Sequence, residues 1–238
     1  AFGAPASCFD ATGDCHALGV SSPSPRPALH WDAVFTETVN GTAAKTWTLH
    51  VGDSFADVPP SDPFYARVET LFHNGITAGC SGASYCPADS VTRAQMAVFL
   101  LKGKLGFVYA PPAGSGTRFL DVPPGSFALD WIEDLADGGI TAGCDVSLYC
   151  PDAAVTRAQM AVFLLKAKHG SGYAPPPAAG VFLDVPIDSG FAPWIEELAA
   201  EGITAGCGGG NYCPDAPNTR AQMAAFIDAT FGLSLYGP

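Results

Sequence analysis

The sequence predicts a mainly helical protein: three helix–loop–helix units around a central helix bundle, preceded by an extended arm and a β-hairpin. Three observations predict it. The tripeptide Asp-Val-Pro recurs at Asp57, Asp121 and Asp184, with offsets of 64 and 63 residues, and Cys80, Cys144 and Cys207 keep the same offsets. A fixed internal period marks a repeat architecture. Apolar residues inside each repeat return at helical spacing. The stretch before the repeats has neither feature and alternates instead. The organisation expected is an arm and hairpin over 1–54, then repeats over 55–110, 111–174 and 175–238.

The arm, "AFGAPASCFDATGDCHALGVSSPSPRP", is rich in turn residues and poor in helix signals. "HWDAVFTETV" and "TAAKTWTLHV" flank Asn40-Gly41, a strong two-residue hairpin signal. Alternation puts Val34, Thr36 and Thr38 on one face and Phe35, Glu37 and Val39 on the other. A lone two-stranded hairpin is marginally stable, so it is expected to pack on something else.

Each repeat reads aromatic-x-Asp-Val-Pro, short helix, "GITAGC", five-residue loop, "CP", "TRAQMA". In the second repeat Phe127, Trp131, Ile132 and Leu135 give the first helix its apolar spacing, and Gly138-Gly139 ends it. Ile140-Thr141 is expected to be extended. The second helix starts at Thr156, and Met160, Phe163 and Leu164, widened by Val162 and Leu165, make it apolar on most faces. Such a helix belongs in the centre. The Pro/Gly-rich connectors should be extended and exposed, with Tyr109 and Tyr173 pinning them to the neighbouring repeat.

Composition narrows the function. Eleven Lys and Arg against 23 Asp and Glu give a net charge of -12, which repels phosphate backbones and disfavours nucleic acid. No apolar run reaches membrane-spanning length. Eight cysteines fall in the pairs Cys8–Cys15, Cys80–Cys86, Cys144–Cys150 and Cys207–Cys213, without C-x-x-C spacing. Disulfides in an oxidising compartment are expected. A first residue Ala1 fits a cleaved export signal, so the expected location is secreted, extracellular or cell-surface.

At "FLDVP…WIEDLADGGITAGC…YCPDAAVTRAQMAVFL" the chain resembles S-layer homology repeats, over all three units. The resemblance implies a pseudo-threefold, three-pronged domain of a bacterial cell envelope that attaches proteins to wall polysaccharide, often a pyruvylated polymer, through grooves between units. The family's arginine maps to Arg93, Arg157 and Arg220, and its first-helix aromatic to Trp131 and Trp194. These five residues are the candidate glycan or subunit contacts. The chain departs from the family at Gln95, Gln159 and Gln222, which replace glutamate. Arg67 stands in the aromatic place of the first unit, and the loop carries a cysteine pair.

Thr-Arg-Ala-Gln reads as a capping box, which accounts for Thr and Gln. Arginine in a first helical turn opposes the macrodipole, so an anionic partner is expected. Two partners fit an arginine fork: an Asp such as Asp121 of a neighbouring unit, or a glycan carboxylate. The loops "CSGASYC", "CDVSLYC" and "CGGGNYC" share only Tyr85, Tyr149 and Tyr212. Interchangeable residues argue against catalysis there, and no metal-ligand spacing accompanies the cysteines. Cys15-His16 lies too far from Cys8 for haem attachment. Asn40-Gly41-Thr42 fits a sequon and a turn equally. His16, His30, His50, His73 and His169 share no context, and no nucleophile elbow or phosphate loop occurs. The chain is expected to be no enzyme and to need no cofactor or metal. Asp57, Asp121 and Asp184 read as structural, with a secondary role as arginine partners. The expected function is a self-assembling filament or surface-layer subunit that polymerises through the arm and hairpin edges. A wall-polysaccharide anchor is the alternative.

Overall fold

The structure is a computed structural model describing residues 31–39, 42–51 and 54–235. The arm, Cys8, Cys15 and the hairpin turn Asn40-Gly41 lie outside the described residues. The chain divides into two compact units, one up to Asp53 and one over 54–237.

In the first unit, β1 (Trp31–Val39) pairs antiparallel with β2 (Thr42–Val51), Phe35 opposite Trp47, with a register irregularity between Glu37 and Thr38. The two strands form a two-stranded sheet.

The second unit holds α1 (Tyr65–His73), α2 (Arg93–Leu105), α3 (Leu129–Asp137), α4 (Arg157–His169), α5 (Ala192–Ala200) and α6 (Arg220–Phe231). The long helices α2, α4 and α6 each touch the other two, and α1, α3 and α5 pack outside them. The apolar "MAVFLL" pattern explains the division. Met96, Met160 and Met223 are fully buried, as are Leu100, Leu164 and Ile227 in the helices' next turn. One continuous core runs through all three repeats.

The capping boxes form as the sequence predicts. Thr92, Thr156 and Thr219 accept from the backbone N–H of Gln95, Gln159 and Gln222, whose side chains accept in return from the threonine N–H. Neutral glutamine does this with its Oε1. The remaining free N–H groups of each first turn are answered by the next repeat. Arg93 N and Ala94 N donate to the carbonyls of Ala153 and Pro151, Arg157 N and Ala158 N to Ala216 and Pro214, and Arg220 N and Ala221 N to Asp89 and Pro87. Helix starts leave these donors orphaned unless something outside supplies acceptors. At the centre three backbone bonds close a cycle: Val91 N to Asn218 O, Asn218 N to Val155 O, and Val155 N to Val91 O, at 2.8–2.9 Å.

One local expectation needs correction. Phe127 is not on the first helix; Ala128 turns left-handed (φ 59°) and α3 starts after it, leaving Phe127 69% exposed. Just after this helix, Thr141 accepts from Gly143 N, as Thr77 and Thr204 do from Gly79 and Gly206. The connector tyrosines do pin: Tyr109 donates to Asp134 of α3 and Tyr173 to Glu197 of α5, both at 2.8 Å.

A glutamate at one place on each outer helix secures the chain that enters the repeat. Glu69 accepts from Ser54, Glu133 from Ser115 and Gly116, and Glu196 from Ala179, Gly180 and Val181. Burial pushes the Glu133 and Glu196 carboxyls up, but these hydrogen bonds outweigh it and hold both below the ordinary value.

Candidate functional site

The repeated arginines lie where one repeat meets the next. Arg93, Arg157 and Arg220 are each 4% exposed. Arg93 Nε donates to the Tyr149 carbonyl at 2.7 Å, and Tyr149 Oη donates back to the Arg93 carbonyl at 2.8 Å. Arg157 and Tyr212 exchange the same pair of bonds, as do Arg220 and Tyr85. Each guanidinium also sits 4.7–4.8 Å from the centre of that tyrosine ring. A phenylalanine of the same repeat, Phe163, Phe226 or Phe99, lies 5.4–5.5 Å on the other contact. The first repeat thus grips the second, the second the third, and the third the first.

The expectation of an anionic protein partner is corrected here. Among the described residues no carboxylate pairs with these arginines. Asp121 accepts instead from the N–H groups of Tyr149 and Cys150, as Asp57 does from Tyr85 and Cys86, and Asp184 from Tyr212 and Cys213. A carbonyl and two ring faces serve the cation, because cation–π attraction strengthens once water is excluded. Burial lowers the Arg93 pKa, partly opposed by the fields of Tyr149 and Asp121. One nitrogen of each arginine, Nη2, stays buried without a protein hydrogen-bond partner.

The cysteine loops now have a purpose tied to that grip. Cys80–Cys86, Cys144–Cys150 and Cys207–Cys213 are bonded. Each bond closes the loop that delivers the gripping tyrosine, and Cys86, Cys150 and Cys213 hold left-handed backbone (φ 57–59°). The loops' tyrosines are fully buried between repeats. The signal was the one residue common to three otherwise unlike loops.

Burial pushes these phenols up against the pull of the neighbouring guanidinium; Tyr212 rises to about 12, and Tyr85 and Tyr149 rise also. A folded pKa above the unfolded value gives stability that is whole below about pH 10 and is lost as pH climbs through the folded value. Each pH unit beyond 10 removes up to about 1.4 kcal/mol per tyrosine. Thermal unfolding followed from pH 8 to 11.5 should show a flat melting temperature to about pH 10, then a steep fall. Tyrosinate absorbance should rise together with unfolding rather than before it.

A groove of ≈ 210 Å³ opens beside this contact, lined by Ile76–Gly79, Gln95, Phe99, Lys102, Phe127 and Arg220. Lys102 Nζ donates to the Gly75 carbonyl and lies 5.9 Å from the centre of the Trp131 ring; Lys166 stands 6.0 Å from Trp194. These two lysines follow Arg93 and Arg157 at the same interval. Trp131 and Trp194 are half-buried, edge-on to Tyr109 and Tyr173. The structure therefore gathers Lys102, Trp131 and Tyr109 at one seam and Lys166, Trp194 and Tyr173 at another. The arginines stay inside.

The repeats, their helix starts and their grooves can now be set against known proteins. The S-layer homology domain model matches residues 54–97 and 181–224. The second repeat lies outside the matched residues and makes the same inter-repeat contacts. An S-layer protein of Bacillus licheniformis is 27% identical over 138 residues, 53% of this chain and 14% of that protein. An endoglucanase of Bacillus sp. (strain KSM-635) is 29% identical over 113 residues, 48% of this chain and 11% of that enzyme. The chain thus spans a small fraction of the relatives it matches. Among the described residues no helix is long and apolar enough to cross a membrane.

Proposed function

We propose that residues 54–237 are a non-catalytic cell-surface anchoring module. Its three units stand about a pseudo-threefold axis and take an anionic wall polysaccharide into the grooves between them. The observation that carries this is the groove at Lys102. On a protein of net charge -12, Lys102 lines one concave surface beside exposed Phe127. A positive charge on a concave surface suits an anionic ligand, and aromatic faces suit sugar rings. The matches support a portable module, since it is shared with a surface-layer protein and with an enzyme whose lengths it covers only slightly. The full chain should sediment with purified cell-wall sacculi and stay in solution with sacculi stripped of their secondary polymer by hydrofluoric acid. Equal retention on both would refute the reading.

A second reading rests on β1 and β2. Among the described residues each strand of the two-stranded sheet has one edge without a partner strand, and open edges invite strand addition from another chain. Self-assembly through this ribbon and the arm would make the protein a filament or surface-layer subunit that also binds the wall. Electron microscopy of concentrated protein tests it; monomers alone would exclude it.

A further inference from the structure

The third inner helix is built unlike the other two. Asn218 stands on the central backbone cycle where the first two repeats have Val91 and Val155, and all three residues are fully buried. Asp228 takes the place of buried Leu101 and Leu165, and Thr230 that of Gly103 and Ala167. Among the described residues, Asn218 Oδ1 and Nδ2, Asp228 Oδ1 and Thr230 Oγ1 have no hydrogen-bond partner. Apolar side chains thus secure α2 and α4, whereas α6 is seated on polar atoms that water would serve better. Its two neighbours also hold the third repeat unequally. The second repeat is tied to it by the connector, by Lys168 and His169 on Glu201 at 2.8 and 2.6 Å, and by Lys166 beside Trp194. Toward the first repeat no connector runs, and Ala229 stands where Lys102 and Lys166 do. There α6 meets α1 through an ion pair of Asp228 with Arg67, whose side chain is 37% exposed.

We propose that the cycle of repeats opens at this third seam, between α6 and α1, and that the freed face takes a second copy of the chain, the third repeat of one copy seating on the first repeat of the other. The face fits that partner because it is already shaped for it. Arg220 on Tyr85 and Phe99, the bond from Val91 N to Asn218 O, and the pair Arg67–Asp228 all re-form unchanged between two chains. The same bonds are broken and made, which is why exchange of an identical element is a low-cost route to association. Opening hydrates Asn218 and Asp228, whereas parting either of the other two seams would bring Leu101 or Leu165 to water. The face on α6 differs from the face on α1, so copies joined in this way run head to tail. Neither the glycan nor the edges of β1 and β2 take part.

Two measurements on the full chain test this. Thr-Arg-Ala-Gln opens all three inner helices, so the three arginine amides share one local sequence and the same intrinsic exchange chemistry. Each reports a different seam: Arg93 N donates across the first, Arg157 N across the second and Arg220 N across the third. Native-state hydrogen exchange should find Arg220 about 10- to 100-fold faster than Arg93 and Arg157, the factor expected for one buried group left short of a partner. Equal protection at the three amides, or least protection at another seam, would overturn the opening. For the exchange, unlabelled and heavy-nitrogen-labelled chains are mixed at high concentration and followed by native mass spectrometry. Dimers of mixed mass are expected. The double change Asn218→Val, Asp228→Leu gives α6 the residues of the other inner helices; it should raise the melting temperature and lower the yield of mixed dimers about tenfold or more. A lower melting temperature would show that the polar residues do not loosen the seam. Absence of mixed dimers, or an equal yield from both proteins, would overturn the exchange, and the equal yield would assign association to the β1–β2 ribbon instead.

Discussion

Arg157→Ala is expected to loosen the module itself. The change removes the donor to the Tyr212 carbonyl, strips the cation from between Tyr212 and Phe226, and leaves a cavity where two repeats meet. Large-to-small changes at buried sites cost about 3–5 kcal/mol, and an orphaned carbonyl adds to that. Arg157→Lys should recover only part of the loss, since an ammonium cannot lie flat between two rings while donating sideways. Urea unfolding followed by circular dichroism would measure both. A lowered affinity for sacculi with an unchanged unfolding midpoint would contradict this role and return the arginine to the ligand.

Gly143→Ala should be nearly as damaging, from one added methyl group. Gly143 sits at φ +104°, and a Cβ there would lie 2.3 Å from the Leu148 carbonyl oxygen inside the cysteine loop. Neither the left-handed backbone nor the backbone neighbour can give way easily. A loss of about 3 kcal/mol or more is expected, lowering the melting temperature by roughly 6–12 °C in a unit of this size. Gly79 and Gly206 meet the same obstacle at Ser84 and Asn211. Gly172→Ala, with open space around its Cβ, is the control and should change stability by less than about 0.5 kcal/mol. Equal melting curves for the two variants would show that the Leu148 carbonyl can move aside.

These two residues show how far the sequence could be read. Helix starts were legible because a capping box is local: Thr and Gln three residues apart satisfy each other whatever lies beyond. The centrality of α2, α4 and α6 was legible because their apolar residues cover most faces. The arginine's partner was not. Electrostatic reasoning on one helix asks for an anion, but the answer comes from a backbone carbonyl and two rings of the following repeat, 55 or 56 residues away. The aspartate of Asp-Val-Pro was legible only as structural for the same reason. Its real acceptor duty is to the Tyr-Cys N–H groups 28 and 29 residues on. Periodicity finds what recurs, and Tyr149 recurs, but it cannot say that Tyr149 serves another repeat rather than its own. The hairpin turn and the Cys8–Cys15 pair lie outside the described residues.

The backbone cycle of Val91, Asn218 and Val155 has an architectural consequence. Open arrays of repeats expose a raw face at each end and need special terminal repeats to cover it. A closed ring has no ends. Each repeat here is both giver and receiver of the same contact, so none has to be a cap, and none can be added or removed singly without reopening the circle. Closure joins Arg220 to Tyr85 across 135 residues, the costliest loop in the unit to fix. The ring is therefore expected to complete itself last, once the third repeat has been made. A chain ending before that repeat would present one unfilled giver and one unfilled receiver, the complementary halves from which two truncated chains could build a shared ring.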